Sequence, residues 1–335
     1  MMRSSSYLVN IRGVPGTVLF DGVGAERVCI LEGLNVSTRR AFGPGPEADY
    51  RVQVAAVHHS AAVDQGRSRP PRRFIRFLRG ENEDRVVLPG GTLWIAPGRP
   101  SARIVLRSRR SAWNRALQSE VLEVALIHAG ALQGWATLHA TAFLIHGVRV
   151  LATGPTHAGK STLAAAVLCC GGRIVSDDSL LVGIEDGAPV ARALRRDIWL
   201  RDGSLHFLPD EGESGPRGFG ARGEGRWLLL RADREESFLD SLGPEIVVRL
   251  IRDRRLAGFC LRRLTAAESM AELLTATSPL YLAPRYAAER SRLLPVITGL
   301  VNRASCFELR MGRGLVTDPC AVLERLAARI AAADR

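Results

Sequence analysis

Up to about residue 110, short apolar runs alternate with polar positions over residues 7–11, 18–20, 28–31, 51–57, 85–88, 93–95 and 102–107. The runs are rich in Val, Ile, Leu or aromatic residues and are punctuated by Gly and Pro, a pattern that predicts strands. Residues 60–73 (SAAVDQGRSRPPRR) break it with a polar, proline-bearing loop. From residue 111 the period becomes helical through Trp113, Leu117, Val121, Val124 and Leu132, with Ser111 as N-cap. The change of period divides the chain into a β-rich unit over residues 1–110 and a second unit over 111–335.

In the second unit, the runs 143–145 and 148–153 flank His146-Gly147 and predict a hairpin. A helical stretch over 160–170 ends at Gly171-Gly172, and a strand at 173–175 leads into Ser176-Asp177-Asp178. Further strands are predicted at 180–182, 189–194, 198–201, 227–230, 246–251 and 259–264. Thr265-Ala266-Ala267-Glu268 forms a capping box, helical patterns follow over 285–303 with a break at Pro295, and Asp318-Pro319 starts a last helix presenting Val322, Leu323, Leu326 and Ile330 on one face.

Between the second hairpin strand and its helix lies Gly154-Pro155-Thr156-His157-Ala158-Gly159-Lys160-Ser161, which fits the phosphate-loop pattern G-x-x-x-x-G-K-[ST]. The order strand, glycine loop, helix is the one this chemistry needs. The glycines turn backbone N–H groups toward phosphate oxygens, and the helix N-terminus adds partial positive charge. Composition sharpens the match, because of 46 Lys+Arg residues Lys160 alone is a lysine. In a chain that uses Arg everywhere else, a compact ammonium stands where it must reach between phosphate oxygens. Asp177 and Asp178, at the end of the next strand, are placed to hold Mg²⁺ and take a hydroxyl proton. Their plain alternative is a turn with an N-cap, and His139 taken alone reads as a core histidine.

The remaining features mostly exclude functions. The net charge of +12 raises nucleic acid as a partner, but the arginines are spread along the chain without an aromatic-basic motif, and the scarcity of Lys looks like a codon bias. Nucleic-acid binding therefore ranks last. The uncharged stretch 124–148 contains three His, Gln133 and glycines, which fits a buried helix and core hairpin rather than a membrane span. Six cysteines without a C-x-x-C pair point to reduced thiols and a cytoplasmic location, Cys169 and Cys170 being small core residues at a helix end. The match to G-x-G-x-x-G at residues 218–223 has no strand before it and no helix after it, so a mobile Gly/Arg loop over 210–226, at most a lid or substrate clamp, is expected. Asn35-Val36-Ser37 fits the glycosylation pattern by accident.

Leu138-His139-Ala140, the hairpin, the loop with Lys160-Ser161-Thr162-Leu163-Ala164, the Gly-Gly-Arg turn and Ser176-Asp177-Asp178-Ser179 together resemble the catalytic core of the HPr serine kinase family, including the HPr kinase-like enzymes that accompany lasso-peptide and other ribosomal peptide clusters. The resemblance covers roughly residues 115–280. It implies an α/β P-loop core akin to the nucleotide-binding fold of phosphoenolpyruvate carboxykinases, here preceded by the β-rich unit. It further implies ATP with Mg²⁺ as donor and the serine of a peptide or protein as acceptor. Gly154, Thr156, His157, Ala158, Gly159, Lys160, Ser161 and Thr162 would bind nucleotide, with Lys160 on the β- and γ-phosphates. Ser161 and Asp177 would hold Mg²⁺, Asp178 would act as base, and His139 would sit beside the loop.

Two departures qualify the resemblance. Thr156-His157 stands where the family has a Ser-Gly pair, and Trp199-Leu200-Arg201-Asp202-Gly203 is a remnant of the E-[VI]-R-G-x-G stretch of HPr-directed kinases. An acceptor other than HPr follows. An HPr-directed kinase and a nucleotide-binding regulatory or assembly protein without phosphotransfer are the alternatives; no membrane partner is expected, and a homo-oligomer is compatible with the sequence.

Overall fold

The computed structural model describes residues 5–11, 17–23, 36–41, 49–58, 76–88, 91–108, 112–195, 197–201, 204, 207, 214–220, 223–229, 236–277 and 284–333. Within them the chain is mixed α/β, with four sheets. The strand expected at 28–31, the loop at 60–73, Asn35 and the cap Ser111 lie outside the described residues.

The first eight strands form one sheet. These are β1 (Ser5–Ile11), β2 (Val18–Val23), β3 (Val36–Ala41), β4 (Tyr50–His58), β5 (Arg76–Leu78), β6 (Asp84–Leu88), β7 (Gly91–Ile95) and β8 (Ser101–Ser108), in the order β3-β1-β2-β4-β8-β7-β6-β5. Alternation sets its faces: Val52, Val86, Leu93, Ile95, Ile104 and Leu106 are buried, while Arg51, Arg85 and Arg103 point to solvent. The buried face packs on α1 (Ala112–Leu132), whose Val121, Leu122, Ala125 and Leu126 belong to the same core.

Polar contacts join this sheet to the rest of the chain. Tyr50 Oη and His128 Nδ1 share a hydrogen bond of 2.6 Å, and the His128 ring stands edge-on to Tyr50 and Tyr286. Burial holds His128 down to about 4 and pushes Tyr50 above the tyrosine range, so both are neutral near pH 7. Arg285 donates to Asp84 Oδ1 (2.5 Å), Gly80 O (2.8 Å) and Glu81 O (3.2 Å), and Gly98 N–H donates to Glu289 Oε1 at 2.6 Å.

After α1 come β9 (Ala136–Leu138), β10 (Thr141–Ile145), β11 (Val148–Thr153), α2 (Lys160–Cys169), β12 (Arg173–Ser176), β13 (Leu180–Glu185), β14 (Ala188–Ala193), β15 (Asp197–Arg201), β16 (Ser214–Gly220), β17 (Gly223–Leu229), β18 (Ser241–Leu242), β19 (Ile246–Arg252) and β20 (Phe259–Arg263). The chain ends with α3 (Ala266–Ala276), α4 (Ala287–Arg303), β21 (Ser305–Met311), α5 (Gly314–Thr317) and α6 (Pro319–Ala333). A six-stranded sheet, β12-β10-β11-β19-β21-β20, has β11 inside it, parallel to β19, and α2 packs beside it. β18-β14-β13-β9 form a second sheet and β15-β17-β16 a third.

Two of the caps read from the sequence lie among the described residues and are present. Thr265 and Glu268 satisfy each other's backbone N–H groups, and Asp318 Oδ1 accepts the Ala321 N–H at 3.1 Å. The break expected at Pro295 is absent: α4 runs through it, because Pro295 lies on the exposed face while Leu293, Val296, Ile297 and Leu300 hold the opposite face in the core.

Two further expectations are corrected. The Gly/Arg stretch is not an open loop where it is described: β16 and β17 pair antiparallel, with Gly218 opposite Gly225 and Gly220 opposite Gly223. And the thiols are not all reduced, since Cys170 at the end of α2 is disulfide-bonded to Cys320 at the start of α6, with their Cα atoms 5.4 Å apart, while Cys169 is exposed. Composition gave no hint of a pair separated by 150 residues. Cross-linking so long a loop removes conformational freedom from the unfolded chain, so reduction, or Cys320→Ser, is expected to cost about 2–4 kcal/mol. Urea unfolding with and without reductant measures this, and alkylation without reductant should leave Cys170 and Cys320 unlabelled.

Candidate functional site

β11 carries the glycine loop out of the sheet and α2 receives it. The turn begins at Gly154, with φ +137°, where an added Cβ would lie 2.5 Å from Leu250 O on β19. Only glycine lets the backbone fold over the neighbouring strand there. The loop closes through Ala158 N–H to Pro155 O at 3.0 Å, and α2 starts after Gly159, whose φ is +104°. His157 has φ +73°, in the left-handed region. This is the position at which the resembling family has glycine, and a side chain there costs about 1–2 kcal/mol.

Lys160 is buried, and its Nζ donates to Gly154 O at 2.8 Å and Pro155 O at 3.4 Å. Burial lowers its pKa, opposed by the charges of Asp178, Asp177 and Glu272. No side chain caps α2, so its first N–H groups face the loop, as an anion requires. Ser161 is half-buried on the first turn, Thr156 is exposed, and Thr162 Oγ1 lies 2.9 Å from Ser204 Oγ.

The carboxylates come from the turn after β12. Asp177 is buried, whereas the Asp178 side chain is 53% exposed. Asp178 Oδ1 meets His139 Nδ1 at 2.9 Å. Protein crowding opposes ionisation of Asp178, but the hydrogen bond and charge of His139, with Lys160 and Arg195, outweigh it and hold the carboxyl down to about 2. The same hydrogen bond raises His139, against the effects of burial and Lys160. A core histidine is thus not what the fold makes of His139: its side chain is 46% exposed and ion-paired, and its backbone N–H donates to Ala276 O at 2.8 Å.

The pair has a pH signature. Its Asp178 contribution to stability is full above the unfolded carboxyl value of 3.8 and is lost as pH falls toward about 2. Its His139 contribution is full below 6.5 and is lost as pH rises through the raised folded value. The Tm difference between wild type and His139→Gln is therefore expected to be largest between these limits and to shrink on either side, measured by thermal melts across pH.

The Asp turn is held from behind by residues the sequence did not single out. Thr141 Oγ1 donates to Ser176 O at 2.8 Å, and Ser176 Oγ donates to Arg195 O at 2.8 Å. Ser179 Oγ donates to Glu123 Oε1 on α1, and Arg195 Nη1 donates to Glu123 Oε2 at 2.9 Å. One signal was available: Glu123 is the last charged residue before the uncharged stretch 124–148. For Arg195, Ser204 and Glu272 the sequence holds no comparable mark.

The Ser161 hydroxyl and the Asp177 carboxylate are donors of the kind Mg²⁺ takes beside a phosphate. That ion keeps several waters and takes one or two carboxylates plus phosphate oxygens, rather than a cage of protein ligands. Among the described residues no group of three or more His, Cys, Asp or Glu is gathered as such a cage. Ser161 and Asp177 are the residues that would hold the ion.

No family model and no curated protein matches the chain. Among solved structures, the HPr(Ser) kinase/phosphatase from Coxiella burnetii is similar over 59% of this chain and 94% of that chain, at 12% identity and a TM-score of 0.30. No helix among the described residues is long and apolar enough to cross a membrane.

Proposed function

We propose that the chain is an ATP-dependent serine kinase acting on a peptide or protein hydroxyl. The observation that carries this reading is the pairing of a phosphate loop, with φ of +137° at Gly154 and +104° at Gly159, with an ionised carboxylate at Asp178 whose charge is felt by Lys160.

Loop N–H groups and the Lys160 ammonium hold the β- and γ-phosphates, with His157, Ala158 and Thr162 lining them. Ser161 and Asp177 would hold Mg²⁺, which when bound would neutralise charge on the phosphate oxygens. The acceptor serine oxygen forms a bond to the γ-phosphorus as the bond to the β,γ-bridging oxygen breaks, and the serine proton passes to Asp178. The products are phosphoserine and ADP. A carboxylate at about 2 is a weak base, which suits a loose transition state in which the proton moves late. His139 orients the Asp178 carboxylate through the 2.9 Å contact.

The test is incubation with ATP, Mg²⁺ and peptides encoded beside the gene, with HPr as comparison, read by mass spectrometry for phosphoserine and by ADP release. Phosphoserine on a non-HPr peptide is expected. Nucleotide binding without transfer to any acceptor, together with an ATP-dependent change in oligomeric state, would instead make the chain a nucleotide switch.

A further inference from the structure

The N-terminal sheet carries a second surface with chemistry of its own. Strand registers place Leu78 on β5 opposite Arg85 on β6, Arg85 opposite Trp94 on β7, Trp94 opposite Arg103 on β8, and Arg103 opposite Gln53 on β4. These residues form one row across the solvent face, because directly paired residues share a face. The Arg103 guanidinium lies over the Trp94 ring, 4.6 Å from its centroid, and donates to Glu83 at 3.0 Å. At the end of this row is an open cleft of about 580 Å³, lined by Leu78, Arg79, Glu81, Arg85, Trp94 and Arg99 among others.

From this arrangement we infer that the cleft binds an acidic, partly apolar peptide segment, and that this segment belongs to the phosphoryl acceptor. The second half of the inference rests on the kinase reading; the first does not. Arg79, Arg85 and Arg99 give the cleft a positive excess over Glu81 and Glu83, and Glu83 is already engaged by Arg103. The indole of Trp94 and the side chain of Leu78, 40% exposed, add an apolar surface beside the guanidinium groups. Nucleic acid fits less well, since a uniform run of phosphates would meet Glu81 and Glu83, whereas a peptide can set apolar side chains against Leu78 and Trp94 and carboxylates against the arginines. Among the described residues β5 is also the terminal strand of its sheet, so an extended peptide can add main-chain hydrogen bonds along it.

The cleft is tied to the phosphoryl-transfer residues. Arg285 grips its wall through Gly80 O, Glu81 O and Asp84, and stands just before α4. The preceding helix, α3, ends where Ala276 O accepts the His139 N–H and Leu138 bridges to Thr277.

The experiment measures binding without nucleotide, so that a failure of kinase chemistry leaves its result untouched. The probe is a fluorescein-labelled peptide of alternating Glu and Leu, titrated with the full chain and followed by anisotropy; a Lys/Leu peptide and oligo-dT serve as comparisons. Saturable binding of the Glu/Leu peptide is expected, weakened about tenfold or more by Trp94→Ala and by Arg85→Glu, and unchanged by Arg254→Glu, an exposed turn residue after β19 that does not line the cleft. Arg85 is exposed, so its variant remains informative if loss of Trp94 disturbs the sheet. Equal binding of the Lys/Leu peptide, tighter binding of oligo-dT, no binding of the Glu/Leu peptide, or indifference to both cleft variants would each overturn the proposal.

Discussion

Asp178→Asn is expected to lower kcat for serine phosphorylation by roughly a hundred- to ten-thousandfold while leaving ATP affinity unchanged or slightly tighter. Asparagine keeps the shape of the side chain and can still accept a hydrogen bond from His139, so the turn after β12 should hold its place. What it loses is the negative charge, and with it the capacity to take the serine proton. It also loses the attraction that raises His139, so the His139 titration should fall back toward its ordinary value. Two readouts therefore move together: single-turnover phosphorylation, and the His139 titration followed by NMR. A variant that phosphorylates at the wild-type rate while the histidine titration shifts would sink the base assignment and leave Asp178 as a purely electrostatic neighbour of Lys160. Lys160→Ala separates the roles further, because it should weaken nucleotide binding itself, read by titration with a fluorescent ATP analogue.

Much of this site was legible because its parts are local. The glycine loop, the strand before it and the helix after it lie within residues 148–169, and each is set by short-range rules of turn, cap and period. The same holds for the capping box at Thr265 and the cap at Asp318. What was not legible is what the fold brings together across the chain. His139 follows β9 and Asp178 follows β12, strands of two different sheets, and no spacing in the sequence announces an ion pair between them. The Gly-rich stretch misled for a physical reason. Glycines weaken isolated strands, but in β16 and β17 they stand opposite one another, so neither strand has to pack a side chain against its partner at those positions. The cysteines misled because absence of a short C-x-x-C spacing says nothing about Cys170 and Cys320, which two helix ends carry together.

The buttress behind the Asp turn offers the second large effect. Glu123 and Arg195 form a pair whose side chains are 12% and 6% exposed, and Arg195→Met leaves the Glu123 carboxylate nearly buried without that partner. Breaking such a pair costs about 3–5 kcal/mol, which should appear as a lower urea midpoint with an unchanged slope. The double variant Glu123→Leu/Arg195→Met distinguishes two roles. If the pair serves only stability, replacing both charges with apolar side chains should restore the midpoint and the activity together. We expect the midpoint to recover and the activity to remain about tenfold low, because Ser179 Oγ then has no Glu123 carboxylate to bind and the turn carrying Asp177 and Asp178 loses its anchor on α1. Since α1 also packs against β7 and β8, the carboxylate that steadies the turn stands on the helix that supports the N-terminal sheet. Recovery of full activity in the double variant would reduce Glu123 and Arg195 to a packing contact and remove α1 from the catalytic account.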